Sequence, residues 1–247
     1  MDSFTDPHPD ACGVVELRQY TLHPGRRDAL IELFDHEFVE TQEAVGIAVI
    51  GQFRDLAAAD RFVWLRGFRD MAARFAGLSA FYGGPAWLAH RDAANATMID
   101  SDNVLLLHPA WPGSGLAANR RDHAAPGASA PPAGLLDASV FYLREPASDE
   151  LLALCRQLLA PRLTRGGALR LGWYVSEAAP NNFPRLPVRE GEPVLVCLAL
   201  FQSSAAVEAC SAQGDWASEA DSRLDRWLAR PTERLRLVPT ARSAVHA

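Results

Sequence analysis

The chain has 247 residues, 49% of them apolar and 22% charged, which describes a globular protein of one large domain or two of about 100 residues each. Its net charge of -6, with no basic run, argues against a nucleic-acid binder. All 24 basic residues are Arg and none is Lys, which excludes a Walker phosphate loop, a Schiff-base lysine and a kinase-type phosphate lysine.

Residues 1–13, MDSFTDPHPDACG, read as a disordered tail without the basic and apolar regions of a signal peptide. The strand VVELRQYTLHPG follows. Its alternation puts Glu16, Arg18 and Tyr20 on one face and Val15, Leu17 and Gln19 on the other. Pro24 suits a helix start, Leu30, Phe34, Phe38 and Val45 recur at helical spacing, and Gly46 stops the helix. Strands are predicted around 47–54 and 61–68, then a helix with Met71, Phe75, Leu78 and Tyr82 on one stripe. Gly83-Gly84-Pro85 breaks it, a short helix runs to about Asn95, and NVLLLHP (103–109) is a fourth strand.

Residues 111–135 are rich in Pro, Gly, Ala and Ser and read as a linker. Beyond them the layout recurs. A strand at 137–146 runs into Pro146, Leu151, Leu154, Leu158 and Leu159 form a helix stripe, strands fall at 169–177 and 193–201, and a helical stretch precedes a last strand at 234–239. The predicted domains are therefore 14–110 and 136–240, with 241–247 as a tail. Each has the order β-α-β-β-α-β of a ferredoxin-like unit, an α+β fold with helices on one sheet face. The bare faces need cover, so the two sheets are expected to face each other as a barrel.

VVELRQYTLHPG, GQFRDL, FVWLRGFRDM, FYGGPAWLAHRDAANATM and DNVLLLHP together resemble the NIPSNAP family. The loop NNFPRLPVREGE (181–192) is similar to that of bacterial members with two tandem units. The resemblance implies the dimeric α+β-barrel superfamily, here as an internal pseudo-dimer, and does not imply one reaction.

On this reading Val15, Leu17, Val63 and Leu65 pack on the helices, while Glu16, Arg18, Tyr20, Trp64 and Arg66 face the barrel interior, joined by Gln52 and His108. Such a group offers an anion-binding fork, a carboxylate and an imidazole, with Tyr20 or His108 moving a proton. The alternative is a purely structural polar network in a scaffold or interaction protein. Loop 181–192 is a candidate lid over a barrel mouth, with Arg185 and Arg189 supplying positive charge.

No metal-ligand spacing or dinucleotide fingerprint occurs, so neither a metal nor a cofactor is expected. Cys12, Cys155, Cys197 and Cys210 lack CxxC spacing, which suggests a reducing cytoplasm, and Arg-only usage with abundant Ala suggests a bacterial source. The longest apolar run, Val194 to Phe201, is too short to span a bilayer. Among partners, a small-molecule ligand and a homo-oligomer remain open, whereas nucleic acid and membrane are not expected.

Overall fold

The structure, a computed structural model, describes residues 12–116, 122–212 and 214–247. Most of the expected N-terminal tail (1–11) and part of the expected linker (117–121) lie outside the described residues.

In the first half, β1 (Val14–Leu22) leads to α1 (Arg27–Leu33), a π-helical turn at Phe34–Phe38 and α2 (Val39–Glu43). Gly46, at φ +84°, ends this helix in a conformation that L side chains resist. β2 (Ala48–Asp55), β3 (Arg61–Phe68), α3 (Met71–Gly83), α4 (Pro85–Asn95) and β4 (Met98–Pro109) follow. Asp70 caps α3, accepting from the Ala73 N–H at 2.7 Å, and Pro85 opens α4.

The second half repeats the order with β5 (Leu135–Tyr142), α5 (Asp149–Leu154), a π-helical turn at Cys155–Leu159 and α6 (Ala160–Arg165). β6 (Arg170–Ser176), β7 (Val194–Phe201), α7 (Ser204–Ala212), α8 (Trp216–Leu224) and β8 (Glu233–Pro239) complete it.

The eight strands of the described residues close into one antiparallel barrel in the order β1-β3-β2-β8-β5-β7-β6-β4. The halves contribute β4-β1-β3-β2 and β8-β5-β7-β6, so corresponding strands occupy corresponding places. They are stitched at two seams, β2 with β8 and β4 with β6. Closure leaves no free sheet edge among the described strands.

One apolar cluster draws on all eight strands, including Val15, Leu17, Phe53, Val63, Leu65, Leu107, Val140, Tyr174, Val196 and Leu237. Only the barrel interior can collect side chains from every strand. Two further clusters lie outside it, one under the helices of each half. The facing expected from sequence is therefore inverted. Val15, Leu17, Val63 and Leu65 fill the barrel, while Glu16, Arg18, Tyr20, Trp64 and Arg66 lie on the opposite strand face, beneath the first-half helices.

The segments flanking the halves are also packed. Leu116, from the expected linker, joins the barrel cluster, and its N–H donates to Tyr174 Oη at 2.7 Å. Residues 241–247, expected as a tail, run back over the barrel, with Val245 fully buried in the same cluster. Arg242 in this segment pairs with Glu40 of α2.

Candidate functional site

Glu16 is completely buried and meets three guanidinium groups. Arg18 Nη1 is 2.5 Å from Oε2, Arg66 Nε donates to the same oxygen at 2.8 Å, and Arg74 Nε donates to Oε1 at 2.7 Å. Arg66 Nη2 also approaches Oε2 at 2.7 Å, but it is not aligned for a hydrogen bond and adds charge only. Burial alone would raise the Glu16 carboxyl, yet Arg66, Arg18 and Arg74 hold it well below the usual carboxylate range. One carboxylate against three guanidiniums leaves the cluster with two surplus positive charges.

Arg18 also donates from Nε to Tyr20 Oη at 2.9 Å. Burial, ahead of any charge, raises the Tyr20 phenol and keeps it protonated. Trp64 stands beside this pair, its ring centroid 5.6 Å from the Arg18 guanidinium carbon and 5.2 Å from that of Arg66.

Next to the cluster is a cavity of about 90 Å³ between the sheet face and the helices. Arg18, Tyr20, Trp64 and Gln42 supply its polar lining, while Leu30, Phe34, Phe38, Phe81, Tyr82 and Trp87 make apolar walls. Asn95, Met98, Ser101 and Leu186 also line it, and unlike the buried Arg18 and Trp64 these residues retain contact with solvent. They form the mouth.

Two elements reach this site that sequence reasoning did not connect to it. Arg74 falls on the apolar stripe of α3, and an Arg on such a stripe was the one available signal of a buried partner. The loop 181–192 is the other. It covers the outer face of the first half rather than a barrel mouth, because its side chains find partners on α3. Asn181 and Asn182 accept from Arg74 Nη1 at 3.0 and 2.7 Å, and Asn182 Nδ2 donates to the Met71 carbonyl at 2.6 Å. Phe183 packs beside Phe75 and Tyr82. Arg185 and Arg189 do not line the cavity. Arg189 turns instead to Asn103, Tyr142 and Glu192.

Gln52 and His108 are not part of this group. Gln52 lies on β2 near Asp35, its Nε2 3.5 Å from Oδ1. His108 opens onto a separate groove of about 770 Å³ at the β4–β6 seam, with its Nδ1 3.5 Å from Glu177 Oε2. The seam, rather than the barrel interior, takes His108 because it shares the outward face of β4 with Leu106, while Leu105 and Leu107 point inward. Among the described residues, no group of three or more His, Cys, Asp or Glu is placed to hold a metal ion. No helix of the described chain is long and apolar enough to cross a membrane.

The fold and site together define a closed α+β barrel with a small, arginine-flanked cavity on its helical side. Residues 15–111 match the NIPSNAP family model, so the first half of the chain carries a NIPSNAP domain. Three solved structures share the whole fold. A protein of Fusobacterium nucleatum described as a "Putative monooxygenase" has a TM-score of 0.61 at 9% identity, over 94% of each chain. One of Lactobacillus acidophilus, described in the same words, has a TM-score of 0.58 at 12% identity, over 94% of this chain and 97% of that one. An "anthrone oxidase-like protein" has a TM-score of 0.54 at 14% identity, over 96% and 97%. At such identities the likeness is one of fold. No curated protein matches the sequence.

Proposed function

We propose that this NIPSNAP-domain protein binds a small organic molecule in the cavity of its first half and acts on it with its own side chains, without a dedicated cofactor. The observation that carries this reading is the cavity itself. A fully buried arginine and a protonated tyrosine stand at its deep end, aromatic walls enclose it, and a mouth opens to solvent. Tyr20 is the proton donor in this scheme and Arg18 the group that stabilises negative charge in the ligand. The oxidase and monooxygenase descriptions of the structural neighbours are compatible with such chemistry.

Each half is proposed to be a ferredoxin-like unit, 14–110 and 136–240, so that one chain does the work of a two-chain barrel. In this arrangement only the first half builds the arginine cluster. Aligning Pro24 with Pro146 sets Ala138, Val140 and Tyr142 against Glu16, Arg18 and Tyr20. The protein is proposed to be bacterial and cytoplasmic.

A second reading has its own observation. Both oxygens of Glu16 are satisfied within the protein, as a structural network in a scaffold protein would require. Fragment binding followed by saturation-transfer NMR separates the two. Small aromatic fragments should bind the parent and be lost from Ser101→Trp, which blocks the mouth without touching the core. Equal binding to both proteins, or to neither, would favour the scaffold.

A further inference from the structure

We infer that the ligand of this cavity is an organic anion, held by its carboxylate or enolate oxygens against Arg18, Tyr20 and Trp64. This rests on the cavity being a ligand site, as proposed above, and adds the class of molecule.

The first argument is the balance of donors and acceptors. Arg18 commits Nε to Tyr20 and Nη1 to Glu16, and Nη2 has no hydrogen bond among the described residues. The Tyr20 hydroxyl accepts from Arg18, and its own proton goes to no described acceptor. The Trp64 indole N–H is buried and likewise has no partner. The Trp64 N–H is therefore a buried donor left unsatisfied, and Arg18 Nη2 and the Tyr20 hydroxyl proton are uncommitted on residues that line the same small space. A buried donor without a partner is costly, and an oxyanion with several lone pairs answers all three. Among the described residues, only Gln42 Oε1 offers an unpartnered buried acceptor in the same lining.

The second argument is charge. Among the described residues, no Asp or Glu lines the cavity. The carboxylate that pairs with Arg18, Glu16, is already shared with Arg66 and Arg74. Two surplus guanidinium charges therefore act on the space in a poorly solvated setting, where an anion gains most from them. Arg66 and Arg74 do not line the cavity, and they act through this field and through Glu16.

Size sets the geometry of binding. About 90 Å³ holds roughly three waters at liquid density, or a head group of three or four heavy atoms. A larger tail must lie along Phe38, Tyr82 and Trp87 and leave between Met98, Ser101 and Leu186.

Isothermal titration with phenylacetate and its neutral isostere phenylacetamide tests the inference. The acid should bind at least tenfold more tightly at pH 7. Trp64→Phe removes the indole N–H together with one ring, and Tyr20→Phe removes a hydroxyl that also accepts from Arg18 Nε; each should weaken the acid several-fold and the amide distinctly less. Cooperative melting well above the titration temperature would show that both variants are folded. Amide binding as tight as the acid would overturn the anion inference and leave the cavity standing as a ligand site. Loss of both probes from the parent would remove the two readings together.

Discussion

Glu16 and Arg66 face each other directly across the β1–β3 pair, and Arg66 Nε reaches Glu16 Oε2 at 2.8 Å in a wholly buried setting. The cross-strand pair anchors a cluster in which a single acid holds three bases. Removing the acid is therefore the severe change. Glu16→Gln should cost about 3–5 kcal/mol, because three buried guanidiniums lose their counter-charge. Arg18→Met leaves Glu16 with two arginines and should cost about 1.5–3 kcal/mol, the worth of a charged hydrogen bond. Urea unfolding of both variants ranks them, and an Arg18 variant as unstable as the Glu16 one would contradict this division.

The same carboxylate gives stability a pH dependence. The folded Glu16 carboxyl lies well below its unfolded value near 4.5. Its contribution is complete above that value and is lost as pH falls toward the folded one. Unfolding midpoints should drop steeply below about pH 4.5 in the parent and less so in Glu16→Gln.

Asp35 has the opposite sign. It sits in the π-helical turn, buried against Gln52 and Thr240, and burial raises its carboxyl to about 6. A raised acid contributes fully below its unfolded pKa, and that contribution is lost as pH rises through about 6. Asp35→Asn should therefore gain about 1–3 kcal/mol relative to the parent between pH 4.5 and pH 8. Denaturant titrations at the two pH values check it, and a constant difference between the proteins would show Asp35 to be solvated.

His108 and the cavity are separate. His108→Ala should leave phenylacetate affinity within a factor of about two of the parent, less than the loss of one hydrogen bond. Calorimetry settles the point, and a tenfold loss would join the groove to the cavity.

The C-terminal segment is a structural element. A chain ended after Thr240 loses the buried Val245 and the Arg242–Glu40 pair. It should be destabilised by at least about 2–3 kcal/mol, the Val245 burial alone supplying about 1.5 or more. Thermal melting of the shortened protein measures this, and an unchanged midpoint would mean the segment is only draped on the surface.

Element order, strand positions and helix breaks were legible in the amino acids because they are local. Gly46 and Pro85 stop and start helices by their backbone restrictions, and alternation marks β1 wherever it lies. The chemistry of the group was local too, since Glu16, Arg18 and Tyr20 share one strand face. Alternation shows that a strand has two different faces, but not which layer each one meets. Here both layers are buried, one by the opposite half of the barrel and one by helices, so burial of β1 could not decide between them. The apolar residues of all eight strands needed one common interior, and that demand sent Val15 and Leu17 inward and Glu16 outward under α3. Arg74, Asn181 and Asn182 lie 58 to 166 positions from Glu16 along the chain, beyond the reach of any periodicity. Only closure of the barrel, which lays the second half's loop against the first half's helix, brings them to the site.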